Sequence, residues 1–262
     1  MTSRISLSLA TIGPVSLGEK LRAASAAGYR AVGLLWEEVG SHLEASAEEV
    51  RISGLLVSDI SSLSGWTESD RTSRSIALAR AEQAFELAAN LGCSVVVARA
   101  PQGEAEMFSL ARDFRDLCRL ADPFQVNVGL EFVGSFRQVN DVASAREIVE
   151  LAEADNGGLV IDTFHFFRGG STLEMLEAVP GEKVFLVQVS DCMDLPRHEM
   201  ENRHRVYPGT GVFPLEPLLA VLRDKGYSGY YSLELLNEEY WQESPLVVAR
   251  EGLRALRRLD LQ

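Results

Sequence analysis

The sequence predicts an α/β fold, a (β/α)8 TIM barrel built as a single domain over residues 1–262. Three observations predict it. Eight short apolar runs recur along the chain, each followed by a stretch with helical spacing. No low-complexity linker interrupts this alternation, and 262 residues is the size of eight such units. Strict alternation of strand and helix argues for a parallel sheet. The competing arrangement, a doubly wound open sheet, would carry a Gly-rich phosphate fingerprint after its first strand, and none follows here.

The elements follow in order. Residues 5–9 read as the first strand, and 15–27 as a helix with Leu17, Leu21 and Ala24 on one face, stopped by Gly28. Residues 29–36 form the second strand and run into Glu37 and Glu38; a short helix over 46–52 precedes the third strand, 54–60. A polar loop, 61–69, leads to a long helix over 71–91, closed by Gly92, and the fourth strand is 93–98. A helix over 104–120 is followed by the fifth strand, 126–132, and Asp141 caps a helix running through Glu153. The sixth strand, 159–162, leads through a loop into a helix over 171–178, and the seventh strand is 184–191. A long loop reaches Pro214, a helix runs to Lys225 and stops at Gly226, 230–235 is the eighth strand, and 245–259 the last helix.

Composition narrows the function. The formal charge of −13 repels phosphate backbones, which makes nucleic acid a poor partner. No apolar run reaches the length of a membrane span, and the first residues lack a signal-peptide layout. Cys93, Cys118 and Cys192 are odd in number and widely spaced, which suggests reduced thiols in a cytoplasmic protein. A homo-oligomer is compatible with all of this.

In such a barrel, chemistry sits at the C-terminal ends of the strands. Four polar residues fall at the ends of consecutive strands five to eight: Glu131, Asp162, Gln188 and Glu234. A carboxylate at the tip of a buried strand is costly unless a cation or a hydrogen-bond network receives it. Any one of them alone reads as an ordinary strand-end residue satisfied by backbone or water. Together, on neighbouring strands, they read as a metal site with oxygen donors only. Such a donor set suits Mn²⁺ or Mg²⁺ best, then Co²⁺, with Zn²⁺ less favoured in the absence of histidine.

His165 lies three residues beyond Asp162, on the loop expected after strand six. It serves either as an acid–base group beside the metal or as a group that orients Asp162. His204 and Arg205 lie in the long loop after strand seven, which Pro208, Gly209 and Gly211 pin to a fixed path. There they can hold a polyhydroxy or anionic substrate above the barrel mouth, or simply form a solvated basic loop. His42 and His198 read as surface residues.

These motifs resemble a known family. Leu130-Glu131-Phe132, Ile161-Asp162-Thr163-Phe164-His165, Val187-Gln188-Val189-Ser190-Asp191, the Arg205 to Gly211 loop and Tyr227 to Glu234 are similar to the xylose isomerase-like TIM-barrel superfamily of sugar phosphate isomerases and epimerases. The resemblance implies a divalent metal held by Glu131, Asp162, Gln188 and Glu234. Many members carry histidine where this chain has Gln188, and that departure is similar to the 3-dehydroshikimate dehydratase branch. The endonuclease branch relies on many histidines, and this chain has four.

The implied chemistry is proton abstraction next to a carbonyl through a metal-stabilised enediolate, on a small keto-sugar-like substrate. Glu131 or Glu234 takes the proton, with His165 as the next candidate. Return of the proton makes an isomerase or epimerase, whereas loss of a β-hydroxyl makes a dehydratase acting on a dehydroshikimate or an inosose. A metal-dependent sugar or polyol binder without catalysis is the reading from another class.

Overall fold

The computed structural model describes residues 4–261. Eight parallel strands close a barrel in the order β1, β10, β7, β6, β5, β4, β3, β2. Their ranges are β1 Arg4–Ser8, β2 Ala31–Leu35, β3 Leu56–Leu63, β4 Val95–Arg99, β5 Asn127–Glu131, β6 Gly157–Asp162, β7 Val184–Val189 and β10 Tyr230–Leu233. Two short strands, β8 Asp191–Cys192 and β9 Arg205–Val206, pair antiparallel outside the barrel. The outer helices are α1 Leu17–Ala27, α3 Leu43–Ser53, α4 Arg71–Asn90, α5 Met107–Ala121, α6 Val142–Ala152, α8 Leu173–Glu177, α9 Leu215–Asp224 and α10 Pro245–Leu256.

Local chemistry sets these boundaries. The helix expected from residue 15 begins at Leu17 because Ser16 caps it: its hydroxyl accepts from Glu19 N, and the Glu19 carboxylate accepts from Ser16 N. Such a cap contributes about 1 kcal/mol. Asp141 caps α6 as expected, accepting from Ser144 N at 2.8 Å. Two short helices stand where the sequence reads as strand end or loop: α2, Trp36–Val39, and α7, Thr163–Gly169. Both are too short to show a helical period in sequence. Among the described residues no helix is long and apolar enough to cross a membrane.

Most of the core lies between the sheet and the helices, but a second cluster, Val95, Val97, Val160 and Leu186, fills the barrel interior. Above this apolar plug the interior turns polar. Cross-strand register places Arg99 beside Glu131, Asp162 beside Gln188, and Gln188 beside Ser232. The strand-end residues therefore meet in one ring, as the alternation of side chains along each strand requires.

Asp59 on β3 also sits inside, 1% exposed, accepting from Ser58 Oγ and Ser61 Oγ at 2.7 Å each. Gly33 makes room for it, since a Cβ there would lie 2.6 Å from Asp59 Oδ1. Burial raises the Asp59 pKa, against the pull of Ser61 and Ser58. A carboxyl whose folded pKa is raised contributes stability below its unfolded pKa, and that contribution is lost as pH rises through the folded value. Asp59→Asn should therefore gain in Tm over wild type as pH rises from 4 to 8. A gap in Tm that stays constant across this range would contradict the assignment.

Candidate functional site

Each sequence-predicted ligand sits at a strand tip. Glu131 ends β5, Asp162 ends β6 and caps α7, Gln188 lies near the end of β7, and Glu234 follows β10 directly. Glu131, Gln188 and Glu234 line one cavity of about 420 Å³ at the C-terminal mouth, with His165 and Arg205; Asp162 does not reach its wall and is fully buried against Arg205. That volume suits a small ligand. A larger hollow of about 650 Å³ lies at the opposite end, around Arg4, Tyr29 and Arg30, and holds none of the strand-end acids.

Donor atoms of Glu131, Asp162 and His165 lie within 4.8 Å of one another. His165 thus joins the carboxylates, and the cluster has a nitrogen donor that an oxygen-only set lacks. Gln188 Nε2 donates to Glu234 Oε1 at 2.9 Å, and Ser8 Oγ donates to the same oxygen at 3.2 Å. The amide is thereby oriented, and its Oε1 is buried without a partner. His165 Nδ1 is likewise buried and unpartnered. The Glu131 carboxylate accepts no hydrogen bond from the described residues.

Arg205 and His204 stand elsewhere than expected. Instead of gripping a substrate at a distance from the acids, Arg205 is fully buried and bound to them. Its Nη2 donates to Asp162 Oδ2 at 2.8 Å and its Nη1 to Asp162 Oδ1 at 3.2 Å; Nη1 also lies 3.7 Å from Glu234 Oε2. The guanidinium stacks 4.4 Å from the centre of the Phe164 ring. His204 does not line the cavity: its Nδ1 accepts from Glu201 N, and Arg203 Nε reaches its Nε2. A local turn consumes it. Glu38 is likewise occupied, by the buried Lys20, while His42 and His198 are exposed as expected.

Asp191 explains how Arg205 is brought in. Its carboxylate accepts from the backbone N–H groups of Cys192, Gly209, Gly211 and Phe213 at 2.8 to 3.0 Å. The chain passes so close that a Cβ on Gly211 would lie 2.2 Å from Cys192 O. This gathers the long loop and docks β9 over the barrel mouth. Asn237 Nδ2 fixes Arg205 O from the other side, at 2.9 Å.

The electrostatics follow from burial. Burial, then the carboxylates of Glu234 and Asp162, hold the Glu131 pKa well above the ordinary range. Burial pushes Glu234 to about 8 despite the pull of Arg205. Asp162 is lowered: burial works against ionisation, but Arg205 and His165 outweigh it. Burial brings His165 down to about 4, which leaves the imidazole neutral at pH 7. Fully ionised, Glu131, Asp162 and Glu234 outweigh the buried guanidinium of Arg205 by two negative charges. A divalent cation would balance that charge.

The structure therefore fits a metal on its own terms. Gln188 Oε1 and His165 Nδ1 are orphaned, Glu131 has no donor, and Asp162 Oδ2 takes only one protein hydrogen bond, from Arg205. Sequence reasoning missed Arg99 and Arg168, which also line the cavity. Arg99 lies one residue past the expected end of its strand, and Arg168 lies on the helix read as a loop.

Parallel strands closed into a barrel, with acids gathered at its C-terminal mouth, define the class. Residues 21–259 match the xylose isomerase-like TIM barrel family, and the chain belongs to it. The inosose isomerase of Halalkalibacterium halodurans is 42% identical over 130 residues, which cover 49% of this chain and 46% of that protein. The 3-dehydroshikimate dehydratase of Pseudomonas aeruginosa is 33% identical over 259 residues, 94% of this chain and 40% of that protein. The chain thus spans about half the length, or less, of these curated relatives. Among solved structures, the IOLI protein with a bound zinc atom superposes with a TM-score of 0.90 at 25% identity, covering 97% of each chain.

Proposed function

We propose that the protein is a divalent-metal-dependent isomerase or epimerase of a small keto-sugar or keto-cyclitol, working by proton transfer next to a carbonyl. The observation that carries this reading is Glu131: a buried carboxylate without a donor, grouped with Asp162 and a neutral histidine. Glu131, Asp162, Gln188 and Glu234 would hold the metal, a set of oxygens that suits Mn²⁺ or Mg²⁺ best and also accepts Co²⁺ or Zn²⁺. When bound, such an ion acts as a Lewis acid toward a substrate oxygen.

The residues divide the remaining work. Glu131, with its pKa raised and no donor to occupy it, accepts the carbon-bound proton on a carboxylate oxygen. Ser8 and Gln188 hold Glu234 Oε1, so Glu234 is oriented to return a proton from its other oxygen. His165, neutral at pH 7, exchanges a proton with a substrate hydroxyl. Arg205 keeps Asp162 ionised and in place. Walls that exclude bulk water strengthen each of these interactions.

His165→Ala should lower kcat by about 10²-fold, the scale of a positioned acid–base group, while Mn²⁺ still raises Tm. Deuterium wash-in at the α-carbon of the substrate reads the chemical step. Loss of the Mn²⁺ shift in this variant would make His165 a ligand instead. Binding of a ketose without any wash-in by wild type would favour the non-catalytic binder. A dehydratase acting on a cyclic keto acid is the second reading, supported by the similarity along 94% of the chain to a 3-dehydroshikimate dehydratase and by the two arginines at the cavity mouth.

A further inference from the structure

The end of the barrel away from the mouth carries a hollow of about 650 Å³, larger than the cavity that gathers the acids. Its walls come from strand starts and from the end of the last helix. Arg4 opens β1, Arg30 directly precedes β2, Tyr230 opens β10, and Arg257 follows α10. Parallel strands of a barrel all begin at one end, so residues far apart in the chain meet there. Leu56, Leu253, Leu256 and Leu259 add apolar surface between the arginines.

Among the described residues, the guanidinium groups of Arg4, Arg30 and Arg257 make no hydrogen bond and no ion pair. Arg4 stacks 5.7 Å from the centre of the Tyr230 ring. The charge of Arg257 reaches Tyr29, another wall residue, whose hydroxyl is buried without a partner. One acid shares the wall, Asp260, and Arg223 engages it: the Asp260 carboxylate lies 3.9 Å from Arg223 Nη2, and its backbone carbonyl accepts from Arg223 Nη1.

A chain with a formal charge of −13 has carboxylates enough to neutralise three arginines, yet it sets them around one hollow without an ion-pair partner. A recess lined by one sign of charge over apolar walls concentrates the potential and draws in the opposite ion. Guanidinium forks match phosphate oxygens, and their planes stack on flat groups as Arg4 does on Tyr230. We infer that this hollow binds a small phosphate ester, its phosphate held by Arg4, Arg30 and Arg257 and its body laid on Leu56, Leu256 and Tyr230. Such a ligand is distinct from the substrate, because it touches strand starts whereas the acids stand at strand ends. It binds whatever reaction the opposite mouth performs. A nucleotide and a lipid-like phosphate share this chemistry and differ in the body.

Calorimetry on the full chain with three probes tests this, in EDTA so that no metal bridges the phosphates. ADP carries a ring, hexyl phosphate an alkyl chain, and pyrophosphate neither. One of the two esters should bind at least tenfold more tightly than pyrophosphate, and the better one identifies the body. Arg30→Met and Arg257→Met should each weaken that ester tenfold or more with Tm unchanged, since both side chains are exposed. Leu56→Asp, at a wall position 58% exposed, should weaken it as strongly by setting a carboxylate beside the phosphate. Arg168→Met, at the opposite mouth, should change it less than twofold. Three results would overturn the inference: neither ester binding at millimolar concentration, pyrophosphate binding as tightly as both, or a loss confined to Arg168→Met.

Discussion

Arg205→Met should destabilise the protein by about 3–5 kcal/mol, the usual scale for removing one partner of a buried ion pair. The side chain is fully buried, and it is the one cation that contacts Asp162 and Glu234 among the described residues. It also donates to Ser190 Oγ and Glu234 O, at 3.3 and 3.4 Å. Methionine retains much of the contact with Phe164 but leaves Asp162 without its counter-charge. Urea denaturation in EDTA measures the loss. Mn²⁺ should recover part of it, since a cation bound to the same carboxylates replaces some of the missing charge. A loss below about 1 kcal/mol would mean that water or protonation neutralises these acids and that the pair is incidental.

Glu131→Gln should act in the opposite sense on stability and more strongly on function. Wild type buries this carboxylate with no donor, so the neutral amide should leave the metal-free Tm unchanged or higher. Turnover should fall by about 10³-fold or more, as expected for removing the group that accepts the proton. The Mn²⁺-induced rise in Tm should shrink in parallel, because a charged ligand has gone. This pattern, stability retained and activity lost, is how a site that carries strain for function differs from an ordinary core position. Activity within tenfold of wild type would remove Glu131 from its role.

Much of this arrangement is legible in the sequence because strands and their ends are marked by contrast. Val95 to Ala98 is wholly apolar, and Asp162 interrupts an apolar run so sharply that its position at a strand tip can be read directly. Caps such as Asp141 act through neighbours three residues away and are local enough to see. What escaped depends on distant contacts. The α7 helix forms because Asp162 accepts from the N–H groups of Phe164 and His165, and seven residues are too few to display a helical face. Arg205 looks like a solvated loop residue until Asp191 gathers four backbone N–H groups and pulls the loop over the barrel. Arg99 was hidden by a boundary one residue off, which in a barrel separates the outer wall from the cavity.

The proposed function requires Glu131, Asp162, Gln188 and Glu234 to converge on one ion, and crystals grown with Mn²⁺ test that directly through anomalous scattering. A single strong peak is expected on the cavity floor, within coordination distance of the three carboxylates and of Gln188 Oε1, with Arg205 still paired to Asp162. No peak in the cavity at millimolar Mn²⁺, or an ion that Gln188 and Glu234 do not touch, would contradict it.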